Sequence, residues 1–234
     1  LFERILFIWS NRHPASGYVQ GINDLLSPFF VVFLAEYIRV DHILPRIDLT
    51  TSGELTLLPE PTPDQLEEVE ADVFWCVSRL LDSIQDNYTF PLPGIQHNLG
   101  MLASLVERVD SELHAHLRHH QVEYLQFAFR WMNNLLTREV PLRCSIRLWD
   151  TYMSEDFGFS RFHVFVCAAF LLQFAEDLKC QGDFQGLLLM LQRLPTYHWT
   201  DDNMNLVLAK AFELKTLFRD APNHLEYKRL RELD

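Results

Sequence analysis

The sequence predicts an all-α, multi-helix domain, and three observations carry that prediction. Apolar residues recur at spacings of three and four along nearly the whole chain, the period of helices that bury one face. No stretch of any length alternates apolar and polar residues as a half-buried strand would. Glycine is scarce, 8 in 234 residues, too few for a turn-dense β-sandwich. No fixed-period repeat occurs, which argues against a solenoid.

The elements follow in order. Leu1, Phe2, Ile5, Leu6, Ile8 and Trp9 form an amphipathic helix with no capping residue ahead of it, so an upstream part of the domain is expected. Tyr18, Ile22, Leu25, Leu26, Phe29, Phe30, Phe33, Leu34 and Tyr37 mark one broad face of a second helix. Ser16 is its expected N-cap, and Pro28 should kink it or cost it one backbone bond. Residues 39–63 lose all periodicity and hold Pro45, Pro59, Pro61 and Pro63, so a long surface loop is expected there. Thr62, Pro63 and Gln65 then have the spacing of a capping box with proline in the first helical position. Glu67, Glu68, Glu70 and Asp72 suit the start of that helix, and a solvated face explains them better than a cation site.

Further helices are expected over 71–87, 95–109, 122–137, 141–152, 162–179, 184–194 and 200–218, with Pro91, Pro93, Gly94 and Pro222 as punctuation. They make one large domain over 1–234, read as two helical subdomains, 1–120 and 121–234.

Composition narrows the function. Hydrophobic residues make up 48%, with 18 Phe, 5 Trp and 7 Tyr, which is ample for a core. The 20 Lys and Arg face 32 Asp and Glu, a net charge of -12, the wrong sign for tracking nucleic-acid phosphates or anionic lipid. The longest apolar runs, 29–35 and 164–172, fall far short of the roughly 20 residues that span a bilayer. No basic segment leads into an apolar one as in a signal peptide. Cys76, Cys144, Cys167 and Cys180 lack CxxC spacing and read as buried, reduced thiols of a cytosolic protein.

Chemistry concentrates early in the chain. On a helix starting near Ser16, Gln20, Asn23, Asp24 and Ser27 would share one stripe. A solvated face is the plain explanation. Yet solvated faces carry Lys and Glu, and these residues suit directed hydrogen bonding. His114, His116, His119 and His120 are dense enough to suggest zinc, but Arg118 intrudes and no HExxH surrounds them; a solvated, pH-sensitive turn is expected, with no metal. There is no GxxxxGK[ST], so no GTP site of its own is expected.

Gly17-Tyr18-Val19-Gln20-Gly21 resembles the YxQG motif of the TBC domain, the catalytic domain of GTPase-activating proteins for Rab GTPases. Other blocks agree in order: 70–76 (EADVFWC), 127–131 (FAFRW), Arg138-Glu139 and 147–150 (RLWD). Blocks at 86–88, 183–186 and 221–224 resemble most the branch containing member 22 and a yeast Golgi relative.

That resemblance implies activation of a Rab GTPase by two residues supplied in trans: an arginine from an IxxDxxR motif, and a glutamine that orients the attacking water. Gln20 falls at the glutamine. The resemblance also implies no cofactor of the chain's own, since the Rab carries GTP and Mg, and recruitment from the cytoplasm to Golgi or other endomembranes through the Rab. Tyr18 is expected to pack and orient the glutamine, and Gly21 to let a partner backbone approach. Asn23 and Asp24 are candidates for partner contact or bracing, with local capping or solvation an equal alternative. Arg147 and Asp150 are expected to pair, and Arg130 and Arg138 to be structural or partner-facing. No IxxDxxR precedes Gln20, so the arginine is expected upstream. The alternative function is an adaptor that binds Rabs without catalysis.

Overall fold

The computed structural model describes residues 1–38 and 60–218. Of the loop expected over 39–63, residues 39–59 lie outside the described residues, as does the tail beyond 218. Among the described residues there are eleven α-helices and no strand, so the domain is all-α.

The first helix, α1 (Phe2–Arg12), buries Ile5 and Trp9. A 3₁₀ turn, Ile22–Leu25, runs into α2 (Leu26–Leu34). The second helix is therefore much shorter than its apolar pattern suggests. Pro28 sits in the first turn of α2, where the missing N–H costs little, so no kink is needed. The next helix, α3, is continuous over Pro63–Ser83, joining two stretches that read separately in sequence. Its start is capped as expected: Thr62 Oγ1 accepts from the Gln65 N–H at 3.3 Å, and Gln65 Oε1 accepts from the Thr62 N–H at 2.8 Å. Arg4 on α1 grips Glu70 on α3 with both ends of its guanidinium, which holds that carboxyl below its ordinary pKa.

The middle of the chain forms α4 (Pro93–Val109), α5 (Ser111–His119) and α6 (Tyr124–Asn134). The histidine-rich stretch is thus mostly the α5 helix rather than a turn, because Asp110 caps it by accepting from Leu113 N–H at 2.9 Å. Then come α7 (Leu142–Ser154), α8 (His163–Leu172), α9 (Ala175–Lys179), α10 (Phe184–Gln192) and α11 (Asp201–Phe218). The expected single helix over 162–179 is broken at Gln173–Phe174 into α8 and α9.

Helix α8 is apolar all round and is the buried axis of the molecule, packed against α4, α6 and α11. Helices α2 and α3 pack on each other, and α4 also contacts α5 and α6. His163, at the start of α8, is fully enclosed. Tyr152 Oη donates to its Nδ1 at 2.7 Å, and its Nε2 donates to the Trp131 carbonyl at 3.1 Å. The carbonyl can only accept, so Nε2 carries a proton, and burial without a charged partner keeps the ring neutral with Nδ1 as acceptor. Burial lowers its pKa from 6.5 to about 4.

Two other expectations change. Arg147 turns to Asn205 Oδ1 at 3.0 Å and Thr151 Oγ1 at 2.7 Å instead of Asp150, tying α7 to α11. All four cysteines are free; Cys144 and Cys167 are buried, Cys76 is half-buried, but Cys180 is exposed at the end of α9.

Candidate functional site

The Tyr18–Gly21 segment is a loop, not a helix. After α1 the chain doubles back, with the Gly17 N–H bonded to the His13 carbonyl at 2.8 Å. Gly17 has φ 59° and Gly21 φ 112°, so both lie in the left-handed region that interrupts helical periodicity. The single stripe expected for Gln20, Asn23, Asp24 and Ser27 therefore does not exist. Gln20 lies exposed in a turn, Asn23 and Asp24 lie half-buried on the 3₁₀ turn, and Ser27 belongs to α2.

Two asparagines at the end of α6 hold this loop by successive carbonyls. Asn133 Nδ2 donates to the Gln20 carbonyl at 3.1 Å, and Asn134 Nδ2 donates to the Gly21 carbonyl at 3.4 Å. The orientation of both amides is dictated by their neighbours. Asn133 Nδ2 also faces Asn134 Oδ1 at 3.2 Å, and Asn134 Nδ2 also faces the Asp24 carboxylate, so each nitrogen sits between acceptors. These asparagines are 6% and 1% exposed. The Asn133 Oδ1 is buried without a partner among the described residues. An unpaired buried acceptor costs about 1–3 kcal/mol, so this amide is present for its nitrogen.

Gly21 fits between them because it has no side chain. A Cβ there would stand 2.5 Å from Asn133 Nδ2. The expectation that Gly21 opens room for a partner backbone is thus corrected: the close approach is internal, and Gly21 is buried. Tyr18 is 53% exposed, with its hydroxyl donating to Asn23 Oδ1 at 3.3 Å. The same Asn23 oxygen accepts from the Gly21 N–H at 3.3 Å, and Asn23 Nδ2 donates to Asp24 Oδ1 at 3.0 Å.

Asp24 collects the charge of the site. One carboxylate oxygen accepts from both Asn134 Nδ2 and Arg138 Nε. Arg138 is therefore a brace, pairing its guanidinium with the carboxylate next to the loop. Arg130 is structural: it clasps Glu139, and its NH2 group also donates to the Gln192 carbonyl at 3.0 Å.

The arrangement presents one neutral carboxamide, Gln20, exposed on a pinned loop. A groove of about 420 Å³ between α4, α8 and the end of α11 shares no residue with the loop. No three His, Cys, Asp or Glu side chains converge as metal ligands among the described residues. His116 instead approaches the Gln181 carbonyl with Nε2 at 2.9 Å. Sequence reasoning missed Asn133, Asn134 and Tyr88, whose hydroxyl donates to the Asn133 carbonyl at 2.7 Å. The available signal was a pair of adjacent asparagines, poor helix formers, ending an aromatic helix.

Comparison with known proteins places this geometry. The profile of the Rab-GTPase-TBC domain matches residues 1–179. TBC1 domain family member 22B of Homo sapiens is 58% identical over 224 residues, covering 96% of this chain and 42% of that protein. GTPase-activating protein gyp1 of Schizosaccharomyces pombe is 45% identical over 227 residues, covering 97% of this chain and 42% of that protein. The crystal structure of the Ypt/Rab-GAP domain of Gyp1p superposes with a TM-score of 0.82 at 43% identity, covering 93% of this chain and 65% of that one. The chain thus spans less than half the length of these curated relatives.

Proposed function

The chain belongs to the Rab-GTPase-TBC domain family, and from that membership we propose that it accelerates GTP hydrolysis by a Rab-family GTPase, with Gln20 as the glutamine it inserts into the partner's nucleotide site. The observation that carries this reading is the exposed Gln20 side chain on a loop whose main chain is fixed from behind. Relatives of the chain are named as GTPase-activating proteins.

Phosphoryl transfer has a loose transition state, so a helper contributes position and charge stabilisation rather than bond chemistry. A carboxamide is suited to that work. Its oxygen accepts from the attacking water while its nitrogen donates to phosphate or backbone, and it brings no charge to repel the phosphates. The partner supplies GTP and Mg, so the chain needs no cofactor and is an activator rather than an enzyme in the strict sense. Asp24 and Asn23 brace the loop. Tyr18, exposed beside Gln20, is a surface for the Rab. No IxxDxxR precedes Gln20 in these 234 residues, so of the two residues of the mechanism Gln20 is the one assigned here. Attachment to Golgi or other endomembranes occurs through the Rab; no helix among the described residues is long and apolar enough to cross a membrane.

A Rab-binding adaptor without catalysis is the second reading; the presence of Gln20 argues against it. The test compares the full-length protein with its Gln20→Ala variant across a panel of Rab GTPases under single-turnover conditions. A large loss in a folded variant is expected. Wild-type acceleration by Gln20→Ala would overturn the assignment.

A further inference from the structure

We propose that Asn133, with Asn134 beside it, is a positioning residue for the reaction: it sets the place of Gln20 by holding the main-chain carbonyl of that residue. This rests on the reading of Gln20 given above and adds residues from a different part of the chain, 113 positions away.

Asn133 is itself fixed by its surroundings. Helix α6 ends there abruptly, because Leu135 and Leu136 have φ 51° and 64°, a conformation that bulky residues adopt only when their surroundings impose it. The Tyr88 hydroxyl donates to the Asn133 carbonyl at 2.7 Å. Thr137 caps the Asn134 carbonyl with its N–H at 3.0 Å and its hydroxyl at 2.8 Å. Buried His163 donates to the Trp131 carbonyl, and Trp149 Nε1 donates to the Leu135 carbonyl at 3.4 Å. The end of α6 is held from the α3–α4 connection, from α7 and from α8 at once.

A loop fastened to such an anchor inherits its rigidity. Gln20 is exposed, and its side chain has no hydrogen-bond partner among the described residues, so its reach is set by its backbone. Two consecutive carbonyls of that backbone, Gln20 and Gly21, are each gripped by an amide nitrogen from α6. A catalytic group misplaced by about 1 Å can lose on the order of 10²-fold in rate. An apolar residue at 133 would remove the orphaned Oδ1 and pack as well, but it would release the Gln20 carbonyl.

The test is single-turnover GTP hydrolysis by a Rab GTPase with full-length protein, reading the maximal rate and the half-saturating concentration separately. Asn133→Asp keeps the shape but replaces the donor with a second acceptor. It should lower the maximal rate on the order of 10- to 100-fold and leave half-saturation within about twofold, the mark of an interaction that matters after binding. Tyr88→Phe removes only the hydroxyl behind Asn133 and should lower the same rate by a smaller factor. Thermal unfolding gives the folded fraction for normalising each rate. If Asn133→Asp does not fold, Asn133→Ser takes its place with the same expectation. An unchanged maximal rate in both the position-133 variant and Tyr88→Phe overturns the proposal, as does a loss that excess protein fully restores. Gln20→Ala in the same assay separates the two readings. If it matches wild type, the assignment of Gln20 fails; if it loses rate while the Asn133 and Tyr88 variants keep the wild-type maximal rate, only the positioning role fails.

Discussion

Arg138 and Asp24, 114 positions apart, meet at the edge of the Gln20 loop, and Asn134 donates to the same Asp24 oxygen that Arg138 holds. The ion pair is partly solvated, with side-chain exposures of 44% and 23%. Its own contribution to stability is therefore expected to be small, about 0.5–1 kcal/mol. Its larger effect should be on the loop. Arg138→Ala leaves Asp24 charged beside the incoming phosphates, and Asp24→Asn removes that charge together with the pair. In a double-mutant cycle read by GTP hydrolysis, the two losses should be non-additive, with Asp24→Asn partly masking Arg138→Ala. Additive losses would show that the two residues act separately.

Gly21 and Gly17 make a controlled comparison. Both have positive φ, so alanine strains the backbone at each by about 1–2 kcal/mol. At Gly17 a Cβ meets nothing within 4 Å, whereas at Gly21 it meets Asn133 Nδ2 at 2.5 Å. Gly17→Ala should cost only the backbone term. Gly21→Ala should cost at least about 2 kcal/mol in urea unfolding, because it adds a steric clash, and should also slow GTP hydrolysis by pushing the loop off its asparagines.

The arginine prediction is quantitative. An arginine supplied in trans is worth roughly 10³–10⁵ in rate. These 234 residues hold Gln20 but no IxxDxxR ahead of it. By themselves they should bind a Rab and accelerate it poorly compared with the full-length protein. Equal single-turnover rates for the two would refute this.

Stability should fall on acidification because of His163. Its folded pKa, about 4, lies below the ordinary 6.5, so the unfolded chain binds the extra proton between those values. The native state is fully favoured above pH 6.5 and loses that advantage progressively as pH falls toward 4, by about 3 kcal/mol. Glu70, whose pKa Arg4 lowers, adds loss of the same sign at still lower pH. Chemical denaturation at pH 7 and pH 5 measures the slope. His163→Gln, which does not titrate, should be less stable at pH 7 and flatter in between.

Much of the helical architecture was legible in the residues. Apolar spacing located nearly every helix, and Thr62, Pro63 and Gln65 announced the start of α3 from local hydrogen bonding alone. The Gly17–Gly21 block was recognisable for the same reason that it was misread. Its composition is local information, but the apolar face running from Tyr18 to Tyr37 suggested one long helix, and the two glycines that break it were outvoted by periodicity.

What the chain alone could establish is whatever depends on neighbours within a few turns: period, caps, breakers, and the presence of a neutral glutamine between two glycines. The tertiary structure decided what Gln20 stands on. Asn133 and Asn134 reach Gln20 and Gly21 across 113 positions, and Arg138 reaches Asp24 across 114. Such pairs leave no trace in spacing, because a hydrogen bond is specified by where folded helices bring a donor and an acceptor. Only the buried end of α6, held by Tyr88, His163 and Trp149, puts two amide nitrogens where this loop has two carbonyls.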